Sequence, residues 1–207
     1  SQIYLRPAGN LHTSPAELGK FVHVLLNWGE HADDLVIDPE YLSNMEHPRS
    51  SLASDARLRV GYGSAIAAST TEGFPMLGHG GGIDGFSSLY AYSAARDVGY
   101  VVLLNSTHSP DALRRISQLA VRYLKADVEP PVKPRVALPA GVLERYAGYY
   151  HPANPRSQAV AFLEWLVTGT TVTATATGLR LDPVFAGAED LVPVAGNLFR
   201  KEADADA

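Results

Sequence analysis

The residues of this 207-residue chain best placed for chemistry are a stretch of main chain, His79-Gly80-Gly81-Gly82. Three consecutive glycines after a strand-like segment remove every side chain between the backbone and whatever lies beside it. Backbone N–H groups can then approach a ligand closely, as an oxyanion site requires. A plain glycine-rich turn preceded by a histidine fits the same four letters. The other histidines form no His-x-x-x-His or His-Glu-x-x-His pair, and cysteine is absent. Neither a metal site nor a thiol nucleophile is expected, and no cofactor motif stands out.

His-Gly-Gly-Gly also serves as an oxyanion loop in lipase-type α/β-hydrolases, a fold that needs a Gly-x-Ser-x-Gly elbow downstream. The nearest match, Gly85-Phe86-Ser87-Ser88-Leu89, lacks the last glycine and lies too close, and the alternating strand–helix order of a parallel sheet is missing. Ser1 could act as an N-terminal nucleophile with its own amine as base, but the layered pattern of such enzymes is absent. Neither reading holds.

The elements that must position the glycine run follow from periodicity and turn chemistry. Ser14 or Thr13 as N-cap, Pro15 at the first helical position and Glu17 in the capping-box place open a helix. It carries Leu18, Phe21, Val22, Leu25 and Leu26 and stops at Gly29. Asp38-Pro39-Glu40 starts a shorter helix with Tyr41, Leu42 and Met45. Strands are predicted over Val60–Ala67, Pro75–Gly82, Phe86–Ser93 and Val98–Asn105, the last two joined by Ala94–Asp97. Three successive strands with short joints make an antiparallel meander. A helix over about Pro110–Lys125 follows, with Leu113, Ile116, Leu119, Ala120 and Tyr123 on one face.

Residues 126–139 hold Pro130, Pro131, Pro134 and Pro139 and read as a linker. Beyond it, Leu143–Tyr150, Ala159–Val167, Thr170–Thr177, Leu179–Val184 and Asp190–Phe199 are strand-like, with a polar tail from Lys201. Tyr146, Tyr149 and Tyr150 read as core and edge of this part, Trp165 as a strand anchor and Trp28 as helix-end packing. The expected organisation is α+β over 1–125, a proline-rich linker over 126–139, and a small antiparallel all-β, barrel-like domain over 140–207.

The stretch Gly78–Ser88, followed by a strand, the Arg96-Asp97 turn and Val98–Asn105, resembles the serine β-lactamase and penicillin-binding-protein-like family. The likeness is to the branch with class C β-lactamases, D-aminopeptidases and family VIII esterases. Arg6–Leu11 with the Ser14–Leu18 helix start, and Val36–Met45, are similar to segments that family carries upstream. The resemblance runs in order over roughly residues 4–125. Leu143–Tyr150 and Asp190–Phe199 look like the β-barrel appendage of some members. It implies a partial transpeptidase-like antiparallel sheet with flanking helices, and a serine hydrolase that acts on an amide, ester or β-lactam through an acyl-enzyme.

The family's active site combines Ser-x-x-Lys, Tyr-x-Asn and Lys-Thr-Gly or its His-x-Gly substitute. His79-Gly80-Gly81 corresponds to the last of these. By that correspondence Gly82 N–H is one oxyanion donor, the other being the nucleophile's own N–H, and His79 orients the substrate. No serine here has a lysine three residues on: Ser14 is followed by Glu17, Ser43 by Glu46 and Ser93 by Arg96. Tyr41-Leu42-Ser43-Asn44 has the wrong spacing for the second element. A serine hydroxyl without an adjacent base is a weak nucleophile. The nucleophile Ser and base Lys are therefore expected outside this chain, which reads as the C-terminal part of a longer one. The expected partners are a small-molecule or peptide substrate and an N-terminal half, present as a second chain or as further sequence of the same chain, or a homo-oligomer. A catalytically dead relative that binds peptide or peptidoglycan-like ligands is the alternative.

Composition narrows the classes further. Apolar residues make up 46% and the net charge is −5, with 17 basic against 22 acidic residues, so a core is affordable and a nucleic-acid grip is not expected. No apolar run approaches the ~18–20 residues of a membrane helix. A periplasmic or secreted location is implied by the resemblance alone.

Overall fold

The computed structural model describes residues 9, 11–49, 52–55, 58, 61–106, 110–127, 135–151, 162, 165 and 168–202. The chain divides into two compact units, Ser1–Val128 and Glu129–Ala207. The proline-rich segment around 128–134 lies outside the described residues.

In the first unit, helix α1 (Pro15–Leu26) begins where the sequence places it: Ser14 Oγ accepts from Glu17 N–H at 3.2 Å. The Glu17 carboxylate turns to Lys20 Nζ at 2.9 Å, so the capping box is only half closed. A two-residue β-ribbon, β1 (Glu30–His31) with β2 (Asp34–Leu35), leads to α2 (Pro39–Glu46), capped by Asp38 on Glu40 N–H at 2.8 Å. After a turn of helix, α3 (Leu52–Asp55), comes an antiparallel five-stranded sheet. Its strands in order are β3 (Gly61–Tyr62), β4 (Ala67–Thr71), β5 (Phe74–Ile83), β6 (Phe86–Ser93) and β7 (Val98–Leu104). Helix α4 (Pro110–Leu124) closes the unit.

Register sorts the side chains into two faces, because residues paired across strands share a face and successive residues alternate. Leu77, Tyr90, Tyr92 and Val101 point to the face covered by α1 and α2, where they pack with Val22, Leu25, Leu42 and Ile66. Phe74, Met76, Ala91, Val98 and Tyr100 point to the other face, against Val121 of α4. The sheet is thus a middle layer.

Three polar ties fix its surroundings. The fully buried Tyr92 donates its hydroxyl to Glu46 Oε1 at 2.6 Å, joining β6 to the end of α2; burial, then this bond, hold the phenol far above its ordinary range. Arg122 of α4 grips both Glu72 oxygens at 2.9 and 3.2 Å, and Lys125 Nζ bonds the Glu72 carbonyl. Hydrogen bonding from Arg122 lowers the Glu72 pKa, so this support is whole above the ordinary value of 4.5 and is lost as pH falls below it. Ile66 N–H donates to Met45 O at 3.1 Å.

That last bond explains one departure from expectation. Val60–Ala67 is not one strand: Gly63 N–H turns back to Ile66 O, and Ile66 is wholly buried beside α2. Docking of α2 removes residues 63–66 from the ladder and moves the strand on to Ala67–Thr71. Helix α4 departs too. Its buried residues are Ser117 and Val121, one position round from the expected stripe, and Leu119 and Tyr123 are exposed at 64% and 83%. Ser117 can face the sheet because its hydroxyl is satisfied by Leu113 O at 2.8 Å.

The second unit is an antiparallel meander of β8 (Gly148–Tyr150), β9 (Thr170–Ala174), β10 (Leu179–Pro183), β11 (Glu189–Ala195) and β12 (Leu198–Lys201). Leu143, Val172 and Leu179 form its core. The sheet is open among the described residues, with β8 and β12 as edges. Leu143–Tyr150 is strand only from Gly148; before it α5 (Ala140–Leu143) runs into a 3₁₀ turn, Glu144–Tyr146. Asp190–Phe199 is two strands because Gly196-Asn197 turns between them. In the expected strand Ala159–Val167, the described residues Phe162 and Trp165 are helical; an apolar run without alternation does not separate the two states. Trp165 is 45% exposed rather than a strand anchor, and Trp28 is 59% exposed. Tyr146 packs on Phe199 at 5.1 Å, whereas Tyr149 and Tyr150 are exposed.

Tyr92→Phe keeps the ring but strands the Glu46 carboxylate. We expect a loss of about 1.5–3 kcal/mol in the first unit, read from amide exchange at Leu77 and Tyr92; unchanged exchange would show that the bond contributes nothing.

Candidate functional site

Strand β5 outlasts its neighbour. β4 pairs with it from Phe74 to Gly78 and ends there, opposite Ala67, while β6 pairs with it through Ile83. Along residues 79–83 one edge of β5 therefore has no ladder partner among the described residues.

Two hairpins determine which groups point into that opening. The two-residue turn Glu72-Gly73, both at positive φ, makes Thr71 and Phe74 the hydrogen-bonded pair that closes β4–β5. Alternation then directs the N–H and C=O of Met76 and Gly78 at β4, and those of Gly80 and Gly82 the same way, past its end. The turn Asp84-Gly85 closes Ile83 on Phe86, which directs Ile83, Gly81, His79 and Leu77 at β6. Both hairpins agree. Gly80 and Gly82 present their peptide groups to the open edge, and Gly81 spends its own inside the sheet. Pro75 obeys the same parity: its missing N–H faces the β6 side, where the ladder starts only at Leu77.

The glycines are not equivalent. A Cβ on Gly78 would lie 2.2 Å from Tyr90 O, so Gly78 is required by the sheet itself. A Cβ on Gly80 would meet ordinary contacts at 3.5 Å, one on Gly81 only the Ser88 hydroxyl at 2.7 Å, and one on Gly82 nothing within 4 Å. Packing among the described residues does not explain glycine at 80 or 82.

Side chains around the edge come from the α1 face. His79, Gly81 and Ile83 alternate onto it, with Tyr90, Ser88 and Phe86 as cross-strand partners. The exposed His79 ring meets Tyr62 edge-on at 5.9 Å. Ser88 Oγ donates to Gly81 O at 3.4 Å. Ile83 and Phe86 are 40% and 57% exposed at the hairpin tip. The structure thus brings His79, Gly80, Gly81 and Gly82 together on one exposed strand end. Tyr62, Ile83 and Phe86 were not singled out in the sequence, although Asp84-Gly85 between two large apolar residues is a hairpin-tip signal. No serine–lysine pair accompanies them, and no group of three His, Cys, Asp or Glu side chains gathers among the described residues. No helix there is long and apolar enough to cross a membrane.

A groove of about 470 Å³ lies elsewhere in the unit, between α1 and β7, lined by Ala16, Gly19, His23, Leu26, Gly99 and Tyr100. It runs along the outer edge of β7, which no described strand covers, two strands away from β5.

The beta-lactamase family model matches residues 1–124 of the 207. The chain belongs to the beta-lactamase family. Membership places it in the serine hydrolase superfamily, with a β-lactamase and penicillin-binding-protein-like fold. Solved structures similar to it include an octameric penicillin-binding protein homologue from Pyrococcus abyssi, at 17% identity and TM-score 0.42, covering 88% of this chain and 38% of that one. SurE is another, at 17% identity and TM-score 0.40, covering 91% and 40%. SurE with D-Leu matches at 20% identity and TM-score 0.38, covering 79% and 35%. The chain thus spans about two fifths of the length of these proteins. No curated protein matches it.

In this beta-lactamase-family sheet, Gly78→Ala should cost more than about 2 kcal/mol through overpacking, and Gly82→Ala no more than about 0.5 kcal/mol. Urea unfolding midpoints of the two variants test this; equal losses would mean that both glycines serve the fold.

Proposed function

We propose that this chain supplies one wall of a serine-hydrolase site, the open edge of β5, and that the nucleophile and its base come from polypeptide outside the sequence. The observation that carries this reading is the parity of β5, which aims the Gly82 N–H at the edge of the strand that β4 leaves open. In the proposed reaction a serine hydroxyl attacks the substrate carbonyl while a lysine takes its proton. The oxyanion accepts from Gly82 N–H and from the nucleophile's own N–H, and collapse expels the leaving group, protonated by the same base. Water then repeats the sequence on the acyl-enzyme and releases the acid. His79, held edge-on by Tyr62, orients the substrate from the same strand. An amide, ester or β-lactam fits the scheme.

The uncovered edge of β7 and the groove beside α1 support the second half of the proposal. Val98–Leu104 carries no charge to discourage pairing, and a bare apolar edge is unstable as a free surface. We place the remaining polypeptide there, as further sequence of this chain or as a second chain; a homo-oligomer covering the same edge is the competing arrangement. A dead relative that binds peptides would use the β5 edge without turnover, and the presence or absence of Ser-x-x-Lys upstream of Ser1 separates it from an enzyme.

Two outcomes follow. The 207-residue chain by itself should leave nitrocefin and p-nitrophenyl esters intact; turnover abolished by a serine-directed acylating reagent would place the nucleophile inside it. In the complete protein Gly82→Val should lower kcat by about 10²–10³, and His79→Ala should lower kcat/KM by about ten- to a hundredfold. Raised KM with normal kcat for Gly82→Val would assign the glycine to binding, and unchanged kinetics for His79→Ala would leave the histidine a packing residue.

A further inference from the structure

The two ends of the open β5 edge differ in chemistry, and the difference selects a substrate. On the α1 face the edge carries His79 at one end and Ile83 at the other, with Gly81 between them lacking a side chain. Ile83 is paired across the hairpin with Phe86, so two large apolar side chains stand together, 40% and 57% exposed. At ~3.4 Å per residue, Ile83 adjoins Gly82 while His79 lies roughly 10 Å back along the strand. A molecule whose reacting carbonyl rests on Gly82 N–H has an apolar platform on one side and an imidazole on the other.

We propose that Ile83 and Phe86 form an acyl-side subsite that favours substrates with an extended apolar acyl group, the polar or anionic part of the substrate lying toward His79. The inference rests on the reading of Gly82 as the oxyanion donor and adds the substrate class. Continuity is what commits the tip to this occupant: Ile83 is the residue next to Gly82 on the same uncovered strand, and Gly81 and Gly82 leave no side chain to wall it off. Cross-strand apolar pairing also steadies a hairpin, so the test reads selectivity, which a purely structural role would not move.

In the full-length protein, kcat/KM for p-nitrophenyl hexanoate should exceed that for the acetate by about tenfold or more, given four additional methylenes. Ile83→Ser with Phe86→Ser should bring the ratio to within about threefold by exposing the same methylenes to water, and Phe86→Leu should keep the preference. An unchanged ratio, or equal losses on both esters, overturns the subsite. If the wild-type protein turns over neither ester, esters drop out of the proposed substrate classes, and the subsite is decided by binding instead. N-hexanoylglycine should then shift the Gly82 and Ser87 amide resonances at lower concentration than N-acetylglycine, in the wild type but not in the double variant; no such preference overturns it.

Discussion

Backbone parity along β5 decides what this fold can offer a ligand. A strand has only two edges, and each residue spends its N–H and C=O on one of them. Because the Glu72-Gly73 turn closes β4–β5 on Thr71 and Phe74, every even-numbered residue from Phe74 onward faces β4. β4 then stops at Ala67, and the next two even residues, Gly80 and Gly82, are left facing outward. A one-residue slip would turn Gly81 outward and Gly82 into the sheet. The open peptide groups are thus a consequence of turn geometry and strand length, set far from the glycines themselves.

The rest of the unit holds that mismatch in place. β4 ends at Ala67 because Ile66 is drawn away, its N–H bonded to Met45 and its side chain buried beneath α2. α2 is tied to the sheet by the Tyr92–Glu46 bond. The β4–β5 turn, which sets the parity, is clamped from the opposite face by Arg122 and Lys125. Both faces of the sheet therefore act on the same strand pair: one fixes where β4 ends, the other fixes the register in which it pairs.

Local signals made much of this legible. Ser14, Asp38 and the Pro residues after them announced two helix starts, and the three-strand meander over residues 75–105 with its following helix was readable from alternation and turns. His79 to Gly82 stood out because glycine runs are costly inside a strand. What escaped was tertiary. Nothing within Val60–Ala67 says that Met45 will capture Ile66, and Ser117 faces the sheet in place of Ile116 because its hydroxyl is satisfied within α4. The direction of each glycine N–H was also hidden, since it depends on which pair closes each hairpin.

The most direct test is a crystal structure of the full-length protein inactivated by a p-nitrophenyl phosphonate. The account predicts a covalent adduct on a serine outside this chain, with a phosphonyl oxygen about 2.7–3.1 Å from the Gly82 nitrogen. An adduct whose phosphonyl oxygens are held by other donors, with the Gly82 N–H turned to solvent, would contradict it.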